Sequence, residues 1–250
     1  MIFLIGTLGL GCGTQPTAKS PQPSPDLPET LPQEDTDDVL DTALPVTDTA
    51  VVEVDTATDS GLDTGIEPEP CEPPLYDPNP FITSVVSYDP GAGAGFGQDQ
   101  FPDIVFGPPQ GAGQNAGSLD VLSLGQNGTI VVSFDSPIVD GIDADLIVFE
   151  NGFTGWSEPA IVSASQDGAT WIEWPCELVD ESRLYEGCAG ITPVLSHPNN
   201  CIDARNADQA GGDAFDLQDI GLTEAQFIRI QDAGVSGPGG FDLDAAVRVH

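Results

Sequence analysis

Basic side chains are scarce in this sequence. Against 41 Asp and Glu stand five Lys and Arg in 250 residues (Lys19, Arg183, Arg205, Arg229 and Arg248), for a formal net charge of −36. Such a surface repels phosphate backbones and anionic headgroups, which argues against nucleic acid and against electrostatic docking on a membrane. Histidine is nearly missing as well, with two in the chain. No G-x-S-x-G, H-E-x-x-H or Ser/His/Asp arrangement is present, so no enzyme activity is expected. A carboxylate pair cleaving a glycosidic bond is the one catalytic chemistry the composition leaves open. No apolar run approaches the roughly 20 residues that span a bilayer. Amphipathic helices of ordinary length are also lacking; only 213–219 and 223–226 fit single helical turns.

What is there falls into unequal parts. Residues 13–75 hold TDD, DTA, TDTA, DTATDS and LDTG seeded with Pro. Low hydrophobicity and like charge leave nothing to offset ordering entropy, so this stretch is expected to be a disordered acidic linker. From residue 76 onward come Gly-punctuated apolar runs of strand length, and residues 76–250 are enough to bury one core.

Those runs are 81–88, 119–124, 129–134, 145–150, 160–165, 170–174, 227–231 and 245–249, each bounded by Gly, Pro, Asp or Asn. Asp167-Gly168 marks a tight hairpin between two of them. Eight or so short strands without helices predict an all-β domain, an antiparallel β-sandwich or jelly roll. Trp171 and Trp174, three apart in one strand, should face opposite sides, with Trp171 in the core.

Cysteine usage points to export. Cys12 stands after the short apolar run MIFLIGTLGLG, leaving Cys71, Cys176, Cys188 and Cys201. None of the four has the spacing of a zinc or redox motif, and an even set reads as two disulfides. Four cysteines allow three connectivities; Cys176–Cys188 with Cys71–Cys201 is the favoured one. Residues 1–12 resemble the end of a bacterial lipoprotein signal peptide, in which the Cys carries diacylglycerol. The residues before it are Gly-Leu-Gly, where that family usually has Leu first and a small residue second, and no basic residue precedes the run. The resemblance implies lipidation at Cys12 and display on the bacterial outer membrane or cell surface, with the lipid as the membrane contact. No C-terminal sorting segment follows the last strand, so that lipid is the expected anchor.

Two further segments carry a resemblance. SASQDGATW at 163–171 is similar to a hairpin of the discoidin-like, galactose-binding-like jelly rolls, and AQFIRI at 225–230 to one of their strands. More narrowly, DLIVFEN at 145–151, EPAIV at 158–162, GGDAFDL at 211–217 and GFDLDA at 240–245 resemble a family of bacterial cell-surface β-sandwich proteins of uncharacterised function. The likeness covers roughly residues 81–250.

Carboxylates gather at strand ends. Residues two apart in a strand share a face, so Asp143 with Asp145, and Asp242 with Asp244, should each present a pair. Such pairs need a cation, a donor network or solvent. Asp145, Glu150, Asn151, Asp242 and Asp244 are the candidate ligands of a structural calcium; related jelly rolls hold one through an Asp of the final strand, and Asp244 resembles that position. For ligand binding, Phe153 and Trp156 lie in the Gly-rich stretch NGFTGWS, and Tyr185 in the loop closed by Cys176 and Cys188; an exposed ring there could stack on a sugar face. The expected function is a non-catalytic module binding a glycan or surface polymer. The alternatives are a structural or adhesive envelope protein and a carboxylate-based glycoside hydrolase.

Overall fold

Nine strands, paired antiparallel throughout, form two sheets among the described residues of the chain. The computed structural model describes residues 72–179, 185–235 and 239–250. The signal segment with Cys12 and the linker as far as Cys71 lie outside them; residues 72–75, the end of the expected linker, have no regular secondary structure. The strands are β1 (Ser84–Asp89), β2 (Leu122–Ser123), β3 (Thr129–Val139), β4 (Leu146–Glu150), β5 (Ala160–Ser165), β6 (Ile172–Glu173), β7 (Asp213–Phe215), β8 (Glu224–Asp232) and β9 (Asp242–Arg248). One sheet runs β1-β3-β8-β5-β6 and the other β2-β9-β4-β7. The expected all-β sandwich is what the chain forms.

The five-stranded sheet obeys the period of two. Along β3, Ile130, Val132 and Phe134 are buried while Thr129, Val131 and Ser133 face partly outward. With Val162 and Ala164 of β5 and Ile228 and Ile230 of β8, these residues meet Leu146 and Val148 of β4 and Leu243 and Ala246 of β9 in one core. Strand β4 departs from alternation because every one of its residues is buried. Its second face, Ile147 and Phe149, packs with Ala245, Val247, Phe81, Val194, Ala204 and Ala210. The segment 194–210 thus covers the four-stranded sheet from outside, ending in the one-turn helix α1 (Ala207–Ala210), which Asn206 caps through the Asp208 N–H. Burial on both sides is why DLIVFEN reads as an unbroken apolar run.

Three expectations are corrected. Residues 223–226 are not a helical turn; Glu224 and Ala225 pair with Val139 and Ile138 in β8, so sheet pairing overrides a weak local preference. In 213–219, Asp213–Phe215 is strand β7, and a 3-10 turn occupies Leu217–Ile220. The core tryptophan is Trp174, whose indole N–H donates to the Asp216 carbonyl at 2.7 Å and whose ring packs on Phe215. Trp171 lies instead under the Arg229 guanidinium, 4.8 Å from ring centroid to Cζ.

The β5–β6 hairpin forms, but in place of a tight two-residue turn it has a six-residue loop in which Asp167 accepts the Ala169 and Thr170 N–H groups. Cys176 and Cys188 are disulfide-bonded. Cys201 is also in a disulfide; its expected partner Cys71 lies outside the described residues. Among those residues no helix is long and apolar enough to cross a membrane.

Because Phe149 is buried on a strand closed from both sides, Phe149→Ala is expected to cost about 3–5 kcal/mol of stability. Urea unfolding of the variant against the parent chain measures it; a loss below about 1 kcal/mol would show that the outer cover over β4 is not tightly packed.

Candidate functional site

One end of the sandwich collects the carboxyl end of β4 and the amino ends of β5 and β9. Glu150 ends β4, Glu158 stands two residues before β5, and Asp242 opens β9. The connection from Glu150 to Glu158 is the Gly-rich loop, so the two acids stand at its two feet. One carboxylate oxygen from each of Glu150, Glu158 and Asp242 lies within 4.8 Å of the others. The backbone device behind this is a break in register between β4 and β9: Phe149 pairs with Ala245 but Glu150 pairs with Leu243, leaving Asp244 as an extra residue. Bulges of this kind re-aim the side chains around them.

The three acids are poorly solvated. Glu150 is 1% exposed and Glu158 6%. Both Glu150 oxygens lack a hydrogen-bond partner, as does Asp242 Oδ1. The Asn151 backbone N–H eases the Glu150 charge without reaching hydrogen-bond geometry. The Asn151 side-chain amide reaches Asp242 Oδ2 only at 3.4 Å. Burial first, then repulsion from Glu158 and Asp242, pushes the Glu150 carboxyl far above the ordinary range. Burial, with Asp242 behind it, raises Glu158 to about 7 against a hydrogen bond from the Trp156 side chain. Burial also raises Asp242.

Among the described residues every arginine is engaged elsewhere: Arg205 with Asp203, Arg229 with Glu173, Arg248 with the His250 carbonyl. A trio of this kind can share protons or hold a cation.

Of the five expected metal ligands, the structure brings together Glu150, Asn151 and Asp242 and separates Asp145 and Asp244. Asp244, at the bulge, turns away from Asp242 and accepts the Gln110 N–H with both oxygens at 2.9–3.0 Å; its burial raises the carboxyl to about 8. Asp145 lies at the opposite end of β4, fully buried, accepting the Gly141 and Leu217 N–H groups at 2.8 Å each. Its expected same-face partner Asp143 is exposed in a left-handed turn conformation, φ 62°. Asp140 and Asp216 form a second acidic group with Asp145 at that end; there each Asp145 oxygen has a backbone donor, while Asp140 Oδ1 has no hydrogen-bond partner.

Two acids near the first trio are likewise committed. Asp213 binds the N–H groups of residues 190–192 and the Thr192 hydroxyl. Asp232 binds those of Asn127, Gly234 and Phe241. Glu158, unforeseen as a ligand, carries a signal only in hindsight: an acid directly before a strand, in a segment already singled out.

The loop between Glu150 and Glu158 carries the aromatic candidates. The Phe153 and Trp156 rings stack nearly parallel, 7° apart with centroids at 6.2 Å, closed by a turn with Gly155 at φ 84°. Trp156 is 49% exposed. Tyr185 is not available in the same way: it is 9% exposed. The open groove of about 450 Å³ beside β1, lined by Val85, Tyr88, Phe101 and Phe106 among others, lies away from this loop.

The raised carboxyls set the sign of the pH dependence. A buried acid whose folded pKa exceeds its unfolded value binds protons more readily in the folded state, so stability falls as pH rises through the interval between the two. For Glu158 that interval runs from 4.5 to about 7, and for Asp244 from 3.8 to about 8. Asp167 and Asp203, which are lowered, act below it. In buffer with chelator, the chain is expected to lose resistance to urea steadily between pH 4.5 and 8. A rise across that range would mean that these carboxylates are stabilised as anions. In comparison with known proteins, the chain matches no protein-family model and no curated protein, so the geometry of this pole carries the functional reading.

Proposed function

We propose that this chain is an exported, lipid-anchored surface protein whose β-sandwich is a non-catalytic module for a glycan or surface polymer, bound at the loop 151–157. The carrying observation is Trp156, half exposed and backed by a parallel Phe153 ring. A flat, half-exposed indole parallel to a second ring, on a loop with few other large side chains, suits the apolar face of a sugar. The resemblance to bacterial cell-surface sandwiches and the Gly-Leu-Gly-Cys12 segment support display. Disulfides at Cys176–Cys188 and Cys201 support an oxidising compartment outside the cytoplasm.

Burial argues against the hydrolase alternative. A glycosidase must bring two carboxyls to the scissile bond, whereas Glu150 and Glu158 are closed off beneath the loop. The acidic surface supports a neutral ligand over an anionic one.

Two measurements test the reading. On an array of neutral glycans and cell-wall polysaccharides, the full-length chain is expected to bind, and Trp156→Ala to weaken that binding at least about tenfold, as loss of a stacking platform does, with an unchanged circular dichroism spectrum. Binding that is indifferent to the change retires the loop as the site. In a bacterial host, Cys12→Ser is expected to move the protein from the detergent phase to the aqueous phase of a cloud-point partition; partition that does not change would remove the lipid anchor.

A further inference from the structure

Clustered acids are common on a chain of this charge, and most of those buried here have a visible reason to be anions. Asp145, Asp213 and Asp232 each accept bonds from two or more backbone N–H groups. Glu150 differs. It is the most deeply buried of its trio, and neither of its oxygens has a donor. A carboxylate left this way carries its full desolvation cost unless something not made of protein satisfies it.

From this geometry we infer that Glu150, Glu158 and Asp242 hold a divalent cation of the hard, oxygen-seeking class, calcium foremost, at the base of the 151–157 loop. The surroundings are consistent in chemistry. The converging side-chain ligands are all oxygens, with no His or Cys in the group, a set that favours calcium or magnesium over zinc. Gly152 leaves open the space a Cβ would fill, and oxygens border it: Glu150 Oε2 at 3.1 Å from that position, the Thr192 carbonyl at 3.6 Å and the Gly190 carbonyl at 3.9 Å. Three carboxylates with two carbonyls can supply the roughly 6–8 oxygens that calcium takes, with water completing the shell.

The placement has a consequence for the loop. Glu150 and Glu158 are its two feet, and the Trp156 side chain lies near enough to Glu158 to act on its carboxyl. A cation held by both feet fixes the separation of the loop ends and, through Glu158, the setting of the indole. The inference stands whether or not the loop takes a glycan, since it concerns the acids beneath it.

Thermal unfolding of the full-length chain with calcium and with chelator is the test. Calcium at about 100 times its Kd is expected to raise Tm by about 5–10 °C. Glu150→Gln removes the cost of burying an unpartnered acid among two others, so it should raise Tm in chelator while losing the calcium shift; a purely structural Glu150 would give the opposite sign. Glu158→Gln, at the rim of the trio, should weaken calcium binding at least about tenfold and carries the test should Glu150→Gln not fold. Asp140→Asn, in the acidic group at the other end, should keep the shift.

An unchanged Tm with calcium, magnesium and manganese overturns the inference and leaves proton sharing among the three acids. A shift that survives both Gln variants overturns it by placing the cation elsewhere.

Discussion

Strand β4 is covered on both faces, and much of the molecule follows from that constraint. The five-stranded sheet closes over Leu146 and Val148, and the segment 194–210 with Phe81 closes over Ile147 and Phe149. A strand so placed can hold no exposed polar residue along its length, so polarity is displaced to its two ends. At one end sits Asp145, hydrogen-bonded by two backbone N–H groups. At the other sits Glu150, which has no such partners. The same burial that makes the strand apolar thus sets its two terminal acids apart from the many on the surface, and only one of them is provided for by the protein.

The architecture was legible because alternation and punctuation act locally. The 129–134 run shows a period of two, and the 145–150 run shows the unbroken apolar character of a doubly buried strand. Less legible was whatever depended on pairing between distant strands. Residues 223–226 look like a turn in isolation and become strand because Val139 and Ile138 lie alongside them. Trp171 and Trp174 were correctly assigned to opposite faces, but spacing carries no information about which face is inward.

For the binding pole, sequence reached part of the set. Glu150, Asn151 and Asp242 sit together as expected, and Phe153 and Trp156 share one loop. Asp244 was grouped with Asp242 by the two-residue rule, which fails across a bulge, and the register break between Phe149 and Glu150 has no mark in the sequence. Asp145 shared a strand with Glu150 but sits at its far end, a separation that adjacency in sequence hides. Tyr185 stands on a loop and reads as open, whereas its side chain is buried, which loop placement alone does not reveal.

The bulge at Asp244 also acts as a phase shift in the side-chain code of β9. Before it, Leu243 faces the central core; after it, Ala246 does, while Ala245 and Val247 face the outer cover. The strand therefore carries two patterns spliced out of step. Deleting Asp244 would leave Leu243, Ala245, Ala246 and Val247 in simple alternation, each on the face it already uses, so the strand would lose its bulge and the Gln110 contact rather than its packing. The extra residue is thus dispensable to the two layers of packing and serves the end of the strand, where it sets Asp242 and Asp244 to separate tasks.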